Sequence, residues 1–597
     1  MSSNIVITGE GIVCAIGLDK QQVLQSLLHK QTGIGVMKHL RSTHQELPVG
    51  EVPMSNDDMR SELGITDQYS NRTTLMGILA VRQALADAGI SKETGRQGDK
   101  ETRSKLRIVL ISGTTVAGME ITERFFDSLN ASDEHLACVR NHSCGRSTQM
   151  IADYFGLFAE YTTISTACSS AANALILGAN MLKAGQCDMV VAGGCEALSV
   201  FHLNGFNSLM ILDHQPCRPF DAHRAGLNLG EGAAFVVLER EDTAARRGAE
   251  IHAYLRGYGN ACDAFHQTAS SENGEGAYRA MTEALQMAGL EPADIQYVNA
   301  HGTGTPNNDL SESNALQRVF GDAMPKVSST KSFTGHTTSA SGCIETVICL
   351  LAMHHHFVPA NLGFTTKMTD GVVPTMGEEH ADLRNVVCNS FGFGGNDTSL
   401  VLSKDSKDLK DSKDLKDLKV IKELARVEIT SEEELAEIRD YVKPLEARRM
   451  GKIMKSSLLS SLKALKKAGV EQPDAIITGT ALGCLENSEL LLRQLTEEGE
   501  VMLKPTYFMQ STHNTISSNI AIRLGCHGYN MTYTQDDASL KWALRDAELL
   551  LRSGKCKTVL VGCHDETTPM YRDLLQRMGE KEQPAIKSIA IVLTCGA

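Results

Sequence analysis

The chain has 597 residues, 42% hydrophobic and 22% charged, with one Trp and a formal net charge of −14. That length exceeds one ordinary core, so two or more folding units are expected. The acidic balance argues against sequence-blind nucleic-acid binding, and no apolar stretch is long enough to span a bilayer.

Met1-Ser2-Ser3-Asn4-Ile5 enters a predicted strand at once, with no basic n-region or cleavage site. The sixteen cysteines are scattered through helix and strand patterns and form no spaced framework. They read as reduced core thiols of a cytoplasmic protein. Strands are predicted at 4–9, 107–112, 161–166, 188–193 and 234–239, then at 250–259, 295–300, 385–389 and 398–402, with helices between. This alternation predicts an α/β fold.

Cys168 stands out in chain order. It follows a β-branched run, Tyr161-Thr162-Thr163-Ile164, and precedes an Ala/Leu-rich helix from Ala171 to Lys183. A thiol at a helix N-terminus is expected to be drawn toward thiolate, and the end of a strand is the usual edge for chemistry in an α/β sheet. A buried cysteine acting as a small hydrophobe is the bland alternative. Two histidines follow in Gly/Thr-rich settings, His301-Gly302-Thr303-Gly304-Thr305 and Lys331-Ser332-Phe333-Thr334-Gly335-His336. A glycine-rich turn comes next, Asn389-Ser390-Phe391-Gly392-Phe393-Gly394-Gly395.

This Cys–His–His order, with Arg218-Pro219-Phe220-Asp221 and Gly230-Glu231-Gly232-Ala233, resembles the β-ketoacyl-acyl-carrier-protein synthases over roughly residues 1–403. The resemblance implies a thiolase fold: two βαβαβαββ halves (1–240 and 241–402) stacked as five layers, α-β-α-β-α. It also implies a decarboxylative Claisen condensation between an acyl thioester on Cys168 and malonyl-acyl-carrier protein. His301 and His336 would stabilise the enolate, and the N–H groups of Cys168 and Phe393 would form the oxyanion hole. Phe393 would also gate the site, with Phe391, Gly392 and Gly394 supporting that turn. Lys331 would orient His301, Glu345 would hold Lys331, and Asp309 and Glu312 would be structural acids. The implied partner is an acyl carrier protein that supplies the phosphopantetheine arm, with no tightly bound cofactor and a homodimeric assembly. Ser165, Leu227 and Asn396-Asp397 depart from the common pattern and are expected to bear on substrate shape.

Metal ligation fails on spacing, and His354-His355-His356 reads as a partly exposed helix end. A thiolase acting on coenzyme A esters would need a cysteine within the glycine turn, where the sequence has only Cys388 before it. A non-catalytic partner of another ketosynthase is opposed by the intact Cys168, His301 and His336. Fatty-acid and polyketide or aryl-polyene synthesis share all these residues.

Residues 403–419 are a low-complexity charged run, read as a solvated linker. Residues 420–597 then echo the first half. A gap-free shift of 369 superposes Ile151-Ala152 on Ile520-Ala521, Gly185-Gln186-Cys187 on Gly554-Lys555-Cys556 and Val190–Gly193 on Val559–Gly562. Asp537 then replaces Cys168, or Gln535 does after a slip of two. The tail resembles the N-half of a chain-length factor, the nucleophile-free partner of some ketosynthases. Helix 538–552 lacks its partner half, so its apolar face (Leu540, Ala543, Leu544, Leu550, Leu551) needs a cover. The strand from Gly528 to Thr534 is expected to dock the tail on the ketosynthase's dimer surface, either as a pseudo-dimer in place of the second subunit or as a cap on a homodimer.

Overall fold

The computed structural model describes residues 4–90, 106–406, 420–501, 503–581 and 583–596. Most of the charged run, 407–419, falls outside the described residues, and Ser403 belongs to the preceding strand rather than to a linker.

Among the described residues, fifteen strands form the main sheet. The first five are β1 (Ile5–Cys14), β2 (Ile108–Gly113), β3 (Glu160–Ile164), β4 (Met189–Glu196) and β5 (Gly232–Arg240). The next five are β6 (Ala253–Cys262), β7 (Tyr297–Asn299), β8 (Lys326–Ser328), β9 (Asn385–Gly392) and β10 (Asn396–Ser403). The last are β11 (Ile421–Ile429), β12 (Ala475–Gly479), β13 (Tyr529–Tyr533), β14 (Thr558–Glu566) and β15 (Ile586–Cys595). Their spatial order is β8-β7-β9-β10-β6-β1-β5-β4-β2-β3-β13-β12-β14-β15-β11. Each group of five therefore runs third, second, fourth, fifth, first. The sequence reading missed β8 and β11.

Helices complete the layers. α1 (Arg72–Asp87) packs on β1 and β5, and α3 (Glu275–Ala288) packs on β6 and β10. Strands β1–β5 and β6–β10 form two sheet layers, and between these two sheets lie α2 (Ser170–Lys183) and α4 (Ser341–His354). They are almost wholly buried, as their apolar sequences require. Their contact is close: a Cβ on Gly342 would meet the Ala172 Cβ at 2.7 Å. The two sheets meet edge to edge through β1 and β6, with Val6 opposite Tyr254 and Ile7 opposite Ala253. This is the five-layer thiolase arrangement.

The third group joins the first through β3 and β13. Ile164 pairs antiparallel with Tyr533, Ser165 N–H donates to Thr532 O at 2.9 Å, and Thr534 N–H donates to Thr163 O at 3.0 Å. Around this seam Met531, Tyr533 and Trp542 join the apolar core of the first ten strands. The tail helices used below are α5 (Lys452–Ala468), α6 (Pro505–Ser511), α7 (Thr515–Leu524) and α8 (Ser539–Ser553). On α8, Ala543, Leu550 and Leu551 are buried, but Leu540 and Leu544 stay partly open. The missing cover is smaller than expected because Lys541, Arg545, Glu548 and Arg552 form one polar stripe along the helix.

The repeat also settles the register at the lost nucleophile. Ala167 takes the left-handed conformation (φ 52°) and so does Asp536 (φ 44°). Thr166 N–H donates to Ser170 Oγ and Gln535 N–H donates to Ser539 Oγ, both at 2.9 Å. Asp537 therefore stands where Cys168 does. Gln535 matches Thr166, so the two-residue slip is excluded.

Candidate active site

Cys168 lies on the one-turn helix Ala167–Ser169, between β3 and α2, and is 5% exposed. The strand-to-helix turn needs the left-handed backbone at Ala167, a conformation costly for a residue with a Cβ. Ser169 and Ser170 brace it: Ser169 Oγ donates to Thr166 O at 2.8 Å and Ser170 Oγ to Ala167 O at 2.6 Å.

His336 arrives from the second half, after the short helix Lys331–Thr334 and Gly335 in the left-handed region (φ 70°). Its Nε2 lies 3.0 Å from Cys168 Sγ and its Nδ1 3.1 Å from Ser341 Oγ. His301 follows the end of β7, where Glu312 accepts from His301 N–H at 2.8 Å and Gly302 N–H at 2.7 Å. Asp309 likewise accepts from Phe220 N–H at 2.8 Å. Both acids hold backbone, as expected. The two imidazoles stand 5.3 Å apart at 81°, with Phe391 packed 5.6 Å from His301.

Lys331 is 1% exposed and lies between Glu345, with which it makes a short ion pair, and His301 Nδ1 at 3.3 Å. An ammonium only donates. His301 Nδ1 must therefore accept, which leaves its proton on Nε2.

Burial sets the charges. It pushes both His301 and His336 well below the ordinary imidazole range, with Lys331 acting in the same direction, so both rings are neutral. It lifts Glu345 to about 7 against the pull of Lys331. It also pushes the Cys168 thiol up to about 12, opposed by Lys331 and by a hydrogen bond from Phe393 N–H. Desolvation thus outweighs the helix N-terminus, and the resting group is a thiol rather than the expected thiolate.

The glycine turn closes the site. Phe393 begins a one-turn helix in which Gly394 has φ 83°, a conformation that favours glycine. Gly392 lies against the nucleophile turn, since a Cβ there would meet Thr166 O at 2.8 Å. The Phe393 ring stacks on Phe206 at 5.6 Å. Phe206 in turn contacts Phe508 of the tail helix α6 at 5.1 Å. Every residue anticipated for the site gathers here. Cys388 does not act with it: it is buried beside Cys349 in the core.

Several neighbours carried no local signal in the sequence because the tail supplies them. His513 Nδ1 lies 3.1 Å from Ser165 Oγ. Asn396 Oδ1 accepts from Ser169 at 2.7 Å, while its Nδ2 donates to Asn530 O at 2.6 Å. Ser165 and Asn396, two of the departures from the common pattern, meet the tail here. A small cavity of about 40 Å³ lies on the same seam, lined by Thr115, Val116, His142 and His202 from one side and Phe508 and His513 from the other.

No metal set lies among these groups in the described residues. Glu10, Asp87 and His252 come together elsewhere, with Lys20 already 3.2 and 2.8 Å from the two carboxylates. His354, His355 and His356 are exposed at the end of α4.

Comparison with known proteins agrees with this architecture. The model of the β-ketoacyl synthase N-terminal domain matches twice, over residues 2–244 and 399–585, and that of the C-terminal domain matches residues 252–365. The 3-oxoacyl-[acyl-carrier-protein] synthase 2 of Vibrio cholerae is 31% identical over 428 residues, covering 67% of this chain and 99% of that protein. The ishigamide ketosynthase/chain length factor structure is 30% identical with a TM-score of 0.61, covering 68% of this chain and all of its own. The PfaC keto synthase–chain length factor covers all of this chain and 78% of its own at a TM-score of 0.78, and at 17% identity it bears on the fold alone. The chain belongs to the β-ketoacyl synthase family of acyl-transferring condensing enzymes, and carries behind its complete synthase a second, nucleophile-free copy of the family's N-terminal domain.

Proposed function

We propose that Cys168 carries the acyl chain in a ping-pong condensation fed by an acyl carrier protein. The observation that carries this is the convergence of Cys168, His301, His336 and the Phe393 N–H in one buried site. Cys168 Sγ attacks the acyl thioester on the carrier's phosphopantetheine arm. Its proton leaves with the carrier thiol, and a Cys168 thioester forms. The N–H groups of Cys168 and Phe393 face the oxyanion of that step. Malonyl thioester then loses carbon dioxide, and its enolate oxygen takes hydrogen bonds from Nε2–H of His301 and His336. The enolate carbon attacks the acyl carbonyl and expels the Cys168 sulfur, which takes up a proton. The product is a 3-oxoacyl thioester two carbons longer.

The neutral rings suit this role better than a thiol-activating base. Lys331 leaves the His301 proton on Nε2, and Ser341 beside His336 Nδ1 permits the same tautomer there. Glu345 holds Lys331.

The tail stands in for a second subunit. It presents β13 to β3, and its Phe508 lines the seam cavity and packs on Phe206, which stacks on Phe393. A cavity of about 40 Å³ holds little more than a water molecule. Through the stack Phe393–Phe206–Phe508, the tail limits how far an acyl chain extends past Cys168, which is the sense in which it acts as a chain-length factor.

The test is incubation with acyl- and malonyl-acyl-carrier protein. We expect a 3-oxoacyl product and, without malonyl donor, acyl mass on Cys168. The Cys168→Ala variant keeps its fold and loses both. Acylation of that variant within residues 1–403 would contradict the assignment.

A further inference from the structure

Phe393 opens the tight turn between β9 and β10, where Gly392 at the strand end pairs with Asn396 and Gly394 takes φ 83°. Its carbonyl is held from outside: Asn514 Nδ2 in the tail donates to Phe393 O at 2.7 Å. Asn514 is the residue before α7, a position where the side-chain oxygen of Asn ordinarily caps the helix. Here it makes no such cap. Its Oδ1 is buried without a hydrogen-bond partner, and the residue is 1% exposed. The side chain is turned away from its local use toward the glycine turn. One helical turn on, Ser518 lies so close to Gly394 that a Cβ there would approach the Ser518 Cβ to 2.8 Å. On the opposite side, Gly394 N–H donates to Gln267 O at 2.7 Å. The turn is clamped between its own synthase and the tail.

We propose that Asn514 is a positioning residue for acyl transfer: with Gln267 it holds the peptide group that follows Phe393 and so steadies the turn from which the Phe393 N–H faces the reacting centre, and the tail thereby completes the oxyanion hole of the synthase. This rests on the role assigned above to Phe393. Asn514 touches neither substrate nor Cys168 and acts through the turn alone.

The experiment uses the full chain and follows single-turnover acylation of Cys168 by hexanoyl-pantetheine with intact-mass detection. Asn514→Asp removes the donor and sets a carboxylate against the carbonyl, and Asn514→Leu removes it at similar size. Each is expected to slow the first-order acylation step by about tenfold with half-saturation unchanged, less than the roughly 100-fold that outright loss of an oxyanion donor brings. Arg545→Ala is the control. It breaks the 2.7 Å contact to Glu160 on the same seam, away from the turn, and should leave the acylation constant unchanged. Phe393→Pro, which has no N–H, tests the underlying reading. If Phe393→Pro acylates like the parent, the role of Phe393 is wrong. If Phe393→Pro is slow while both Asn514 variants match the parent, or slow no more than Arg545→Ala does, the Asn514 inference is overturned.

Discussion

A buried lysine beside two histidines creates an electrostatic problem that this site solves with one carboxylate. Lys331 pairs with Glu345, and both imidazoles stay neutral because burial, with Lys331 acting in the same direction, disfavours their protonation. Each neutral ring keeps one N–H to donate. We therefore expect His301→Ala and His336→Ala to lower malonyl decarboxylation by about 10²–10³-fold, the scale of a lost preorganised donor. Acyl transfer to Cys168 should fall much less, and equal losses in both steps would point to thiol activation instead. The thiol gives a second expectation. With Cys168 pushed up to about 12 by burial, the thiolate fraction grows at every step of pH below that value. Iodoacetamide labelling of Cys168, followed by peptide mass, should keep accelerating from pH 7 to 10, and a plateau below pH 8 would show a thiolate already formed. Cys168, His301, Lys331, His336 and Glu345 were all legible from the sequence, because the resemblance that implies their roles rests on local motifs. The protonation state of Cys168 was not, since it depends on desolvation by residues from three segments.

At the scale of elements, α2 and α8 are the same helix under two sets of demands. α2 lies between sheets and is buried nearly all round. α8 has no second half above it and presents Lys541 and Glu548 to solvent. The edge strand β11 is treated likewise, with Lys422, Glu423, Arg426 and Glu428 exposed along it, a charge pattern that discourages further strand pairing. These polar faces explain how half of a domain stays folded without its partner half. Replacing Lys541 and Glu548 by Leu should restore an apolar face and drive concentration-dependent association in sedimentation, while acylation stays intact. The seam gives a further expectation. Phe508→Ala enlarges the interface cavity, and the product distribution should shift to longer chains by mass spectrometry. An unchanged distribution would remove Phe508 from chain-length control. Strands with several apolar residues were readable in sequence. β8 was not, since Lys326-Val327-Ser328 holds a single apolar residue, and β11 was obscured because its charged alternation continues the charge pattern of the segment before it.

Across the whole molecule, the seam between β3 and β13 joins far more than two strands. His527 and Cys262 exchange hydrogen bonds at 3.0 and 3.1 Å between tail and second half. Asn530 reaches Asn260 and Asn396, and Arg577 binds Asp133 of the first half. The tail thus touches both synthase halves and the turns around Cys168. The sequence pointed to the strand that would dock, because the repeat aligns Tyr529–Tyr533 with Glu160–Ile164. It did not reveal that His513, Asn514 and Phe508 would meet the active site, since those contacts join residues more than 100 positions apart with no shared motif. The central claim is that one chain supplies both sides of the β3–β13 interface. Sedimentation equilibrium of the intact protein tests it most directly: the account predicts a monomer of 64.7 kDa with full condensing activity, and an active species of twice that mass, assembled through β3 with the tail displaced, would contradict it.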